Sequence, residues 1–351
     1  MRNIIIEEDL KFITDANLPW DKLAGSTILI SGANGFLPSY IVGALLYLNE
    51  KKLFSKLKVI ALVRNKDKAL KRFAHYKDRE DLKIIVQDVC VPLSLPDDNI
   101  DYVIHAASQA SPKYYYTDPV GTFLPNVLGT YNLLAEGALK KIKNFLFFSS
   151  SEIYGTMGDG GSLIKENDVG KIDPAKIRSC YAEGKRAGET LCLSWFQQYA
   201  LPVNIIRPFH TYGPGFALDD GRVFADFVSD VIDNRDLVLK SDGKNVRAFC
   251  YVADFVVGAL SVLLKGQAGE VYNLGNPRAA LSIRDLANLI VGLYPEKKLK
   301  VVVKIREQND YYLASEFNIS CPSIEKIKQL GWEPVFDIKT GFKRTIESFL
   351  S

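Results

Sequence analysis

Tyr181 and Lys185 lie four residues apart in the segment SCYAEGKRAGE, a spacing that puts both side chains on one face of a predicted helix. The pKa of free tyrosine is near 10, so a phenolate that acts near neutral pH requires a shift of about three units. A neighbouring ammonium favours the phenolate and lowers the pKa of the phenol. The pair therefore predicts a base, Tyr181, that removes a hydroxyl proton as hydride leaves the same carbon.

A group of hydroxyl and carboxyl side chains precedes this helix. The strand-like run FLFFSS leads into Ser149, Ser150, Ser151 and Glu152. Catalytic groups of parallel α/β sheets collect at the carboxyl ends of strands. A serine at this position can share the hydrogen bond of the reacting oxygen, and Glu152 offers a second acid or base near the same substrate.

The stretch TILISGANGFLPSY, residues 27–40, is typical of a turn that binds a dinucleotide. In such turns the first glycine, here Gly32, makes the tight bend, and the second, Gly35, lets the backbone approach the pyrophosphate. The third glycine, which relieves helix packing, is replaced by Pro38. Because Pro38 falls in the first helical turn, where amides lack intrahelical partners, the anion site at the helix N-terminus can survive.

The end of the second strand, VIALVRN, bears on the choice of cofactor. An NAD site usually carries an acid there for the adenosine ribose, but Val63 occupies that position and Arg64 follows. An arginine suits the 2′-phosphate of NADP. The sequence therefore predicts NAD(P), with Arg64 either a contact to NADP or a solvated surface residue.

Strand-like and helix-like segments alternate from residue 26 onward, which is typical of a parallel sheet covered by helices on both faces. This predicts an α/β, doubly wound, Rossmann-like fold. The predicted strands are 26–31, 57–63, 83–87, 100–105, 143–149 and 202–206, and the helices between them include 36–49, 120–140 and 180–199.

After Pro208 the alternation loosens, which predicts a smaller α/β C-terminal lobe over the strand ends. Its expected elements are helices 222–234, 254–264, 282–293 and 339–350 and strands 237–240 and 247–252. The predicted domains are an N-terminal helical arm (1–24), a dinucleotide-binding domain (25–207, with 248–275 returning to it) and a substrate-binding lobe (208–247 and 276–351).

Composition narrows the class of partner. The net charge is +3 with acids and bases interspersed, so no footprint for nucleic acid or an anionic membrane is expected, and the ligand should be a small molecule. The five cysteines are widely spaced and the histidines number three, which argues against a metal site or a disulfide scaffold. The start, MRNIIIEEDLKFI, has acids directly after its apolar run and predicts neither a signal peptide nor a membrane span. A cytoplasmic setting is expected.

Taken in order, the motifs GANGFLP, VQDV, HAAS, NVLGTYN, SSSEIYG, YAEGK and RPFHTYGPG resemble those of the extended short-chain dehydrogenases/reductases that modify sugar nucleotides, the NAD-dependent epimerase/dehydratase family. The resemblance covers about residues 26–350. It implies Ser150 as the active-site hydroxyl, Glu152 as a further catalytic group, Tyr181 as the base, and Lys185 as its partner and ribose anchor. The implied cofactor contacts are Gly32, Asn34, Gly35, Phe36, Leu37, Arg64, Asp88, Val89, Ala106, Ala107, Ser108, Tyr181 and Lys185. The implied substrate contacts are Asn126, Ser151, Arg178, Arg222 and Arg247.

Within the family, the stretches ASPKYYYTDPVGT, RSCYAEGKRAGETLC, DDGRVFADFV and VRAFCYVADF resemble UDP-glucuronate decarboxylases. Oxidation at C4 would then precede loss of the carboxylate. One departure is that Phe216 follows GPG, whereas that branch places an arginine directly after GP. The alternatives are a 4,6-dehydratase, an NADPH-dependent 4-keto reductase or a 4-epimerase on a UDP-, dTDP-, CDP- or GDP-sugar, or a nucleotide-binding protein without turnover.

The resemblance also implies a homodimer, in which helices 120–140 and 180–199 pair across a two-fold axis. Apolar residues of the second helix are available for this contact or for the core of one chain. They include Leu191, Leu193, Trp195 and Phe196.

Overall fold

The computed structural model describes residues 3–51, 55–95, 99–157, 163–305 and 319–350. The strands are β1 Thr27–Ser31, β2 Lys58–Val63, β3 Leu82–Val86, β4 Tyr102–His105, β5 Asn144–Phe148, β6 Val203–Pro208, β7 Thr211–Tyr212, β8 Leu237–Leu239, β9 Val246–Ala248, β10 Cys250–Tyr251, β11 Glu270–Leu274, β12 Ala280–Ser282, β13 Val301–Val303 and β14 Ile319–Ser320. The helices are α1 Ile4–Asp15, α2 Phe36–Glu50, α3 Lys66–Arg72, α4 Lys113–Thr117, α5 Pro119–Lys140, α6 Ser179–Tyr199, α7 Val223–Ile232, α8 Val252–Lys265, α9 Ile283–Leu293, α10 Glu325–Lys328 and α11 Ile338–Leu350.

The main sheet of the described chain is parallel and has the strand order β3-β2-β1-β4-β5-β6-β11. Every residue of β1 and β5 is buried, which explains why these strands read as continuous apolar runs: helices cover both faces. Strand order reverses between β1 and β4, and ligands of such sheets bind at that reversal. The predicted doubly wound parallel fold is confirmed.

Two apolar cores lie on opposite faces of this sheet. Successive side chains of a strand point to opposite faces; Ile28 and Ile30 of β1 belong to one core and Leu29 to the other. The first core also takes residues from α2 and α8, and the second from α5 and α6. No helix in the described part of the chain is both long and apolar enough to cross a membrane.

The other strands of the described chain form small sheets with the strand orders β12-β9-β14, β13-β8 and β10-β7. The strand predicted at 247–252 is wrong in its extent. β9 ends at Ala248, the amide of Phe249 bonds to Ala279 O at 3.1 Å, and β10 then pairs with β7. β11 was not predicted as a strand, although it falls within the segment expected to return to the first domain. The division into domains stays a prediction.

The turn after β1 brings two backbones unusually close together. Gly32 has a φ of +64°, and a Cβ added there would lie 2.7 Å from the Cα of Ala107, which follows β4. Only glycine accommodates both the left-handed backbone and this approach. The turn therefore ties the carboxyl ends of the two strands at the sheet's reversal point.

We expect Gly32→Ala to lower the free energy of unfolding by roughly 1–3 kcal/mol, because the new methyl group meets backbone atoms and the backbone stays strained. A matched control is Gly292→Ala in α9, where an added Cβ would have no atom within 4 Å. That change should stabilise by about 0.5–1 kcal/mol, since alanine is the better helix former. Urea denaturation of both variants checks the pair. Equal effects at the two positions would contradict the steric argument.

Candidate active site

A cavity of about 750 Å³ runs along the carboxyl ends of β1 to β6 and is also lined by residues between 220 and 249. All but one of the predicted site residues line it. Seven of its lining side chains are Lys or Arg and four are Asp or Glu. The excess of basic groups suits an anionic ligand.

The end of the cavity that was predicted to bind a dinucleotide is formed by the turn before α2. Asn34, Gly35, Phe36 and Leu37 line it, and the amide of Gly35 bonds to Gly32 O at 2.8 Å. Gly35 is the N-cap of α2 and has no side chain to occupy the first amides of the helix. Pro38 lies in that first turn, as predicted, so its missing N–H leaves no intrahelical bond broken. The arrangement provides an anion site at a helix N-terminus.

The opposite wall comes from the residues after β4: Ala106, Ala107 and Ser108. It is held by His105, whose Nε2 donates to Pro125 O at 3.1 Å and whose Nδ1 therefore accepts from the Ser31 hydroxyl at 2.7 Å. Burial lowers the pKa of His105 to about 3, so the ring is neutral and this tautomer persists. The bonds fix the ends of β1 and β4 to α5.

At the end of β2, which was predicted to face the adenosine of the cofactor, Val63 is buried and the side chain of Arg64 is 59% exposed. The guanidinium of Arg64 lies 4.0 Å from the carboxylate of Asp88, and both residues line the cavity with Val89 and Lys68. At this distance and exposure the ion pair is weak. Arg64 is therefore available to a ligand at low energetic cost.

Four polar atoms on the cavity wall have no hydrogen-bond partner among the described residues. Asp220 Oδ1 is in an ion pair with Arg222, which leaves Ser108 Oγ, Ser149 Oγ and His210 Nδ1. Buried polar atoms are nearly always bonded, so these atoms indicate where a ligand completes the site. Together with the glycine turn and the free amides of α2, they fit a dinucleotide. The glycine turn and α2 would hold its pyrophosphate, and Ser108 and Ser149 its uncharged parts.

The predicted catalytic residues meet in the centre of the cavity. Ser150 follows β5, its hydroxyl accepts from the amide of Glu152 at 3.1 Å, and it lines the cavity together with Tyr181. Tyr181 and Lys185 project from successive turns of α6, and both are buried. The ammonium of Lys185 donates to Phe148 O at 2.5 Å. The strand end thus holds both the hydroxyl and the lysine.

The electrostatics of this pair differ from the sequence-based prediction. Burial raises the pKa of Tyr181 above its usual value; the bond with Ser150 and the charge of Arg222 oppose the rise. Burial also lowers the pKa of Lys185 to about 7, against the favourable charge of Glu189. The net shift of the Tyr181 pKa is therefore upward and not downward as predicted, because desolvation dominates both groups. The phenol is the resting form.

A second set of side chains borders the tyrosine. Arg178 donates to both carboxylate oxygens of Glu152, at 2.7 and 3.4 Å, and its guanidinium carbon lies 5.7 Å from the ring centre of Tyr115. The Tyr115 ring stacks on Tyr181 with centroids 5.1 Å apart and planes at 15°. Sequence reasoning missed Tyr115, whose only signal was its place in ASPKYYYTDPVGT.

Two guanidinium groups that line the cavity come from residues after β7. Arg222 pairs with Asp220 at 3.1 Å, and buried Arg247 donates to Val246 O at 2.8 Å. His210, which the sequence analysis placed only within RPFHTYGPG, lines the same cavity. Burial and the charges of Arg247 and Arg222 hold the pKa of His210 well below 6.5, so its ring is neutral. This end of the cavity is suited to phosphate oxygens.

Asn126, predicted as a substrate contact, is not among the residues that line the cavity. Its side chain is fully buried between α5 and α6 and donates to Thr122 O at 2.8 Å. The α6 glycines permit this close packing, since a Cβ at Gly188 would lie 2.7 Å from Asn126 O. Asn126 thus serves the contact between the two helices that carry the site.

Comparisons with known proteins support this description. Residues 28–275 match the model of the NAD dependent epimerase/dehydratase family. UDP-glucuronic acid decarboxylase 6 of Arabidopsis thaliana is 33% identical over 331 residues, which cover 92% of this chain and 88% of that protein. UDP-glucuronic acid decarboxylase 1 of Xenopus tropicalis is also 33% identical, over 92% of this chain and 72% of its own length.

Solved structures show the same fold at lower identity. UDP-glucuronic acid 4-epimerase from Bacillus cereus, in complex with UDP-glucuronic acid and NAD, aligns with a TM-score of 0.77 and 21% identity over 92% of this chain and 99% of that one. The dTDP-glucose 4,6-dehydratase from Bacillus anthracis, with NAD, gives 0.75 and 22% over 93% and 96%. With a family model that matches most of the chain and relatives at 33% identity, this protein belongs to the NAD-dependent epimerase/dehydratase family.

Proposed function

We propose that the protein oxidises C4 of a nucleotide-linked sugar and, as its specific reaction, decarboxylates a UDP-hexuronate of the glucuronate type. The observation that carries the proposal is the meeting of Ser150, Tyr181 and Lys185 with the glycine turn in one cavity. The similarity to UDP-glucuronic acid decarboxylases over 92% of the chain supports the substrate. Arg222 and Arg247 suit the diphosphate of such a ligand.

In the first half of the proposed reaction, Tyr181 accepts the proton of the C4 hydroxyl and Ser150 bonds the same oxygen. The nicotinamide of a dinucleotide held by the glycine turn and the N-terminus of α2 would supply the acceptor, and later the donor, of the C4 hydride. The ketone at C4 is β to the carboxylate, so the bond between C5 and C6 can break, with its electron pair entering an enolate as carbon dioxide leaves. A proton from solvent water is then added to C5, and Tyr181 gives its proton back to the C4 oxygen. The cycle is redox-neutral.

The ion pair of Glu152 with Arg178 favours decarboxylation over dehydration. A 4,6-dehydratase needs an acid that gives a proton to the departing C6 hydroxyl. Both carboxylate oxygens of Glu152 accept hydrogen bonds from Arg178, so neither oxygen is placed to give a proton to a leaving hydroxyl. Loss of carbon dioxide needs no such donor. Epimerisation and ketoreduction use the same Tyr181 and remain outcomes of the test.

Mass spectrometry of reactions with UDP-, dTDP-, CDP- and GDP-sugars tests the proposal. We expect UDP-glucuronate to lose carbon dioxide without net consumption of reduced cofactor. Tyr181→Phe should lower the rate by about 10²- to 10⁴-fold. Tyr116→Phe, an exposed tyrosine of α4, should leave it unchanged. Because the pKa of Tyr181 is raised, the oxidation rate should increase with pH as the phenol ionises. Loss of water, gain of two hydrogens or an unchanged mass would each refute decarboxylation.

We also propose that NADP binds more tightly than NAD, through Arg64. No acid follows β2 to hold the ribose hydroxyl, and Arg64 and Lys68 both line that end of the cavity. In a fluorescence titration, Arg64→Ala should weaken NADPH binding by about tenfold or more and leave NADH unchanged, since only NADPH carries the 2′-phosphate. Lys66→Ala, an equal loss of charge outside the cavity, is the control. Tighter binding of NADH than NADPH by the unaltered protein would contradict the assignment.

A homodimer through α5 and α6 is a further proposal. Leu191, Trp195 and Phe196 partly pack against the core of one chain, whereas Val120, Leu128, Tyr131 and Leu139 of α5 and Leu193 and Tyr199 of α6 are exposed. The ring centroids of Tyr131 and Trp195 lie 6.0 Å apart, which joins the two helices in one apolar face. Tyr131→Glu should produce a monomer in sedimentation velocity, whereas Val335→Glu, exposed elsewhere, should not. A monomeric unaltered protein would refute the dimer.

We place the protein in a reducing, cytoplasmic setting. All five cysteines are free. Burial raises the pKa of the Cys192 and Cys250 thiols, which makes both poorly reactive. Titration of thiols in freshly isolated protein should find all five reduced, and a disulfide would oppose this setting.

A further inference from the structure

The buried carboxylate of Asp9 joins three parts of the chain. Asp9 lies on α1 with no exposed surface, and it accepts from Tyr40 of α2 at 3.2 Å, Tyr251 of β10 at 2.8 Å and Arg344 of α11 at 2.8 Å. Burial raises the pKa of Asp9 to about 6, opposed by Arg344, so the group is ionised at neutral pH. An ionised carboxylate with three donors from three elements is a strong constraint on their relative position.

The contact of α1 with α11 is extensive and polar. Besides Asp9, Arg344 bonds to Glu8 at 2.8 Å, to Ile5 O at 3.1 Å and to the Tyr251 hydroxyl at 3.2 Å. Asn3, the N-cap of α1, donates to Ser348 O at 2.9 Å. The first residues of α1 are therefore fastened to the last helix of the chain.

The contact of α1 with α2 is close. A Cβ at Gly43 of α2 would lie 3.2 Å from a methyl carbon of Leu10, so the two helices approach over that glycine. The hydrogen bond from Tyr40 to Asp9 sets the rotation of α2 about its axis at the same contact. Tyr40 lies one turn beyond Phe36, which lines the cavity.

Contacts between aromatic rings connect α2 and α11 to the wall of the cavity. The ring of Phe36 lies 6.1 Å from that of Tyr40 and 6.1 Å from that of Phe216, and Phe216 packs on Phe349 of α11 at 5.5 Å. On the sugar-facing side, Phe342 of α11 lies 5.9 Å from Phe249, a cavity residue. A shift of α2 relative to α11 would therefore move both ends of the site.

We propose that α1 is a clasp that positions the first turn of α2 for the cofactor pyrophosphate, and that Asp9 is its positioning residue. The anion site at the N-terminus of α2 depends on the direction of a few amides, so a small rotation of the helix weakens it. The role of α1 is thus to set cofactor affinity, and not solely to add stability. The proposal concerns cofactor binding and is independent of which sugar reacts.

The test measures binding of NADH and NADPH to the full chain by fluorescence, well below the melting temperature. Asp9→Ala should weaken both by about five- to tenfold. Tyr40→Phe removes only a hydroxyl and should weaken binding in the same direction while the fold stays intact. Lys11→Ala, on the exposed face of α1, should bind as the unaltered protein does.

A stability-matched variant separates positioning from mere destabilisation. Ile290→Val removes one buried methyl group from α9, far along the chain from both helices, and should cost about as much stability as a lost hydrogen bond. Its cofactor affinity should be unchanged. Normal affinity in Tyr40→Phe, or equal weakening in Ile290→Val, would overturn the proposal. The first of these results decides the matter even when Asp9→Ala fails to fold.

Discussion

The desolvation of Tyr181 and Lys185 is the constraint on which the chemistry of the site depends. Both groups lie in the wall of one cavity, and burial disfavours the charged form of each. The pair therefore rests as a phenol beside a lysine whose pKa is about 7. An anionic ligand next to Lys185 favours the ammonium, and an ammonium in turn favours the phenolate. Binding of an anionic ligand and ionisation of the Tyr181 phenol are therefore linked through the charge of Lys185.

A buried network of hydrogen-bonded side chains favours the charged form of Lys185. Glu189, one turn further along α6, favours the charged lysine and is itself bonded through both oxygens to Arg207 of β6, at 2.9 and 2.7 Å. Arg207 also donates to the Tyr154 hydroxyl at 2.8 Å. Because every member has a partner, the network can hold a carboxylate in the interior near the lysine. The charge of Lys185 is thus favoured by residues that do not line the cavity.

The sequence predicted the fold well because the strands are buried on both faces and so read as apolar runs. β11 was not predicted as a strand because its sequence, EVYNL, mixes Glu270 and Asn273 with apolar residues. Side-chain direction was harder to predict. Three consecutive tyrosines begin at Tyr114, and only packing selects Tyr115 to stack on Tyr181.

Charge signs are visible in a sequence, whereas burial is not. The spacing of Tyr181 and Lys185 correctly predicts a shared helix, but the direction of their pKa shifts depends on the depth of the cavity wall. Asn126 shows the same limit. The start of α5 was predicted within one residue. The face of α5 that carries Asn126 packs against the glycines of α6, and the sequence of α5 alone does not show this contact.

Phe216 shows how a departure from the family pattern can be absorbed by the core. The arginine expected directly after GP is missing, and Gly215 stands at that position. Phe216 is buried against Phe36, Phe224 and Phe349, and the carbonyl of Gly215 accepts from Arg72 of α3 at 2.8 Å. The loop has thus become a packing element that joins α2 to α11. Recognition of the proposed sugar nucleotide would then depend on the remaining guanidinium groups of the cavity, above all those of Arg222 and Arg247.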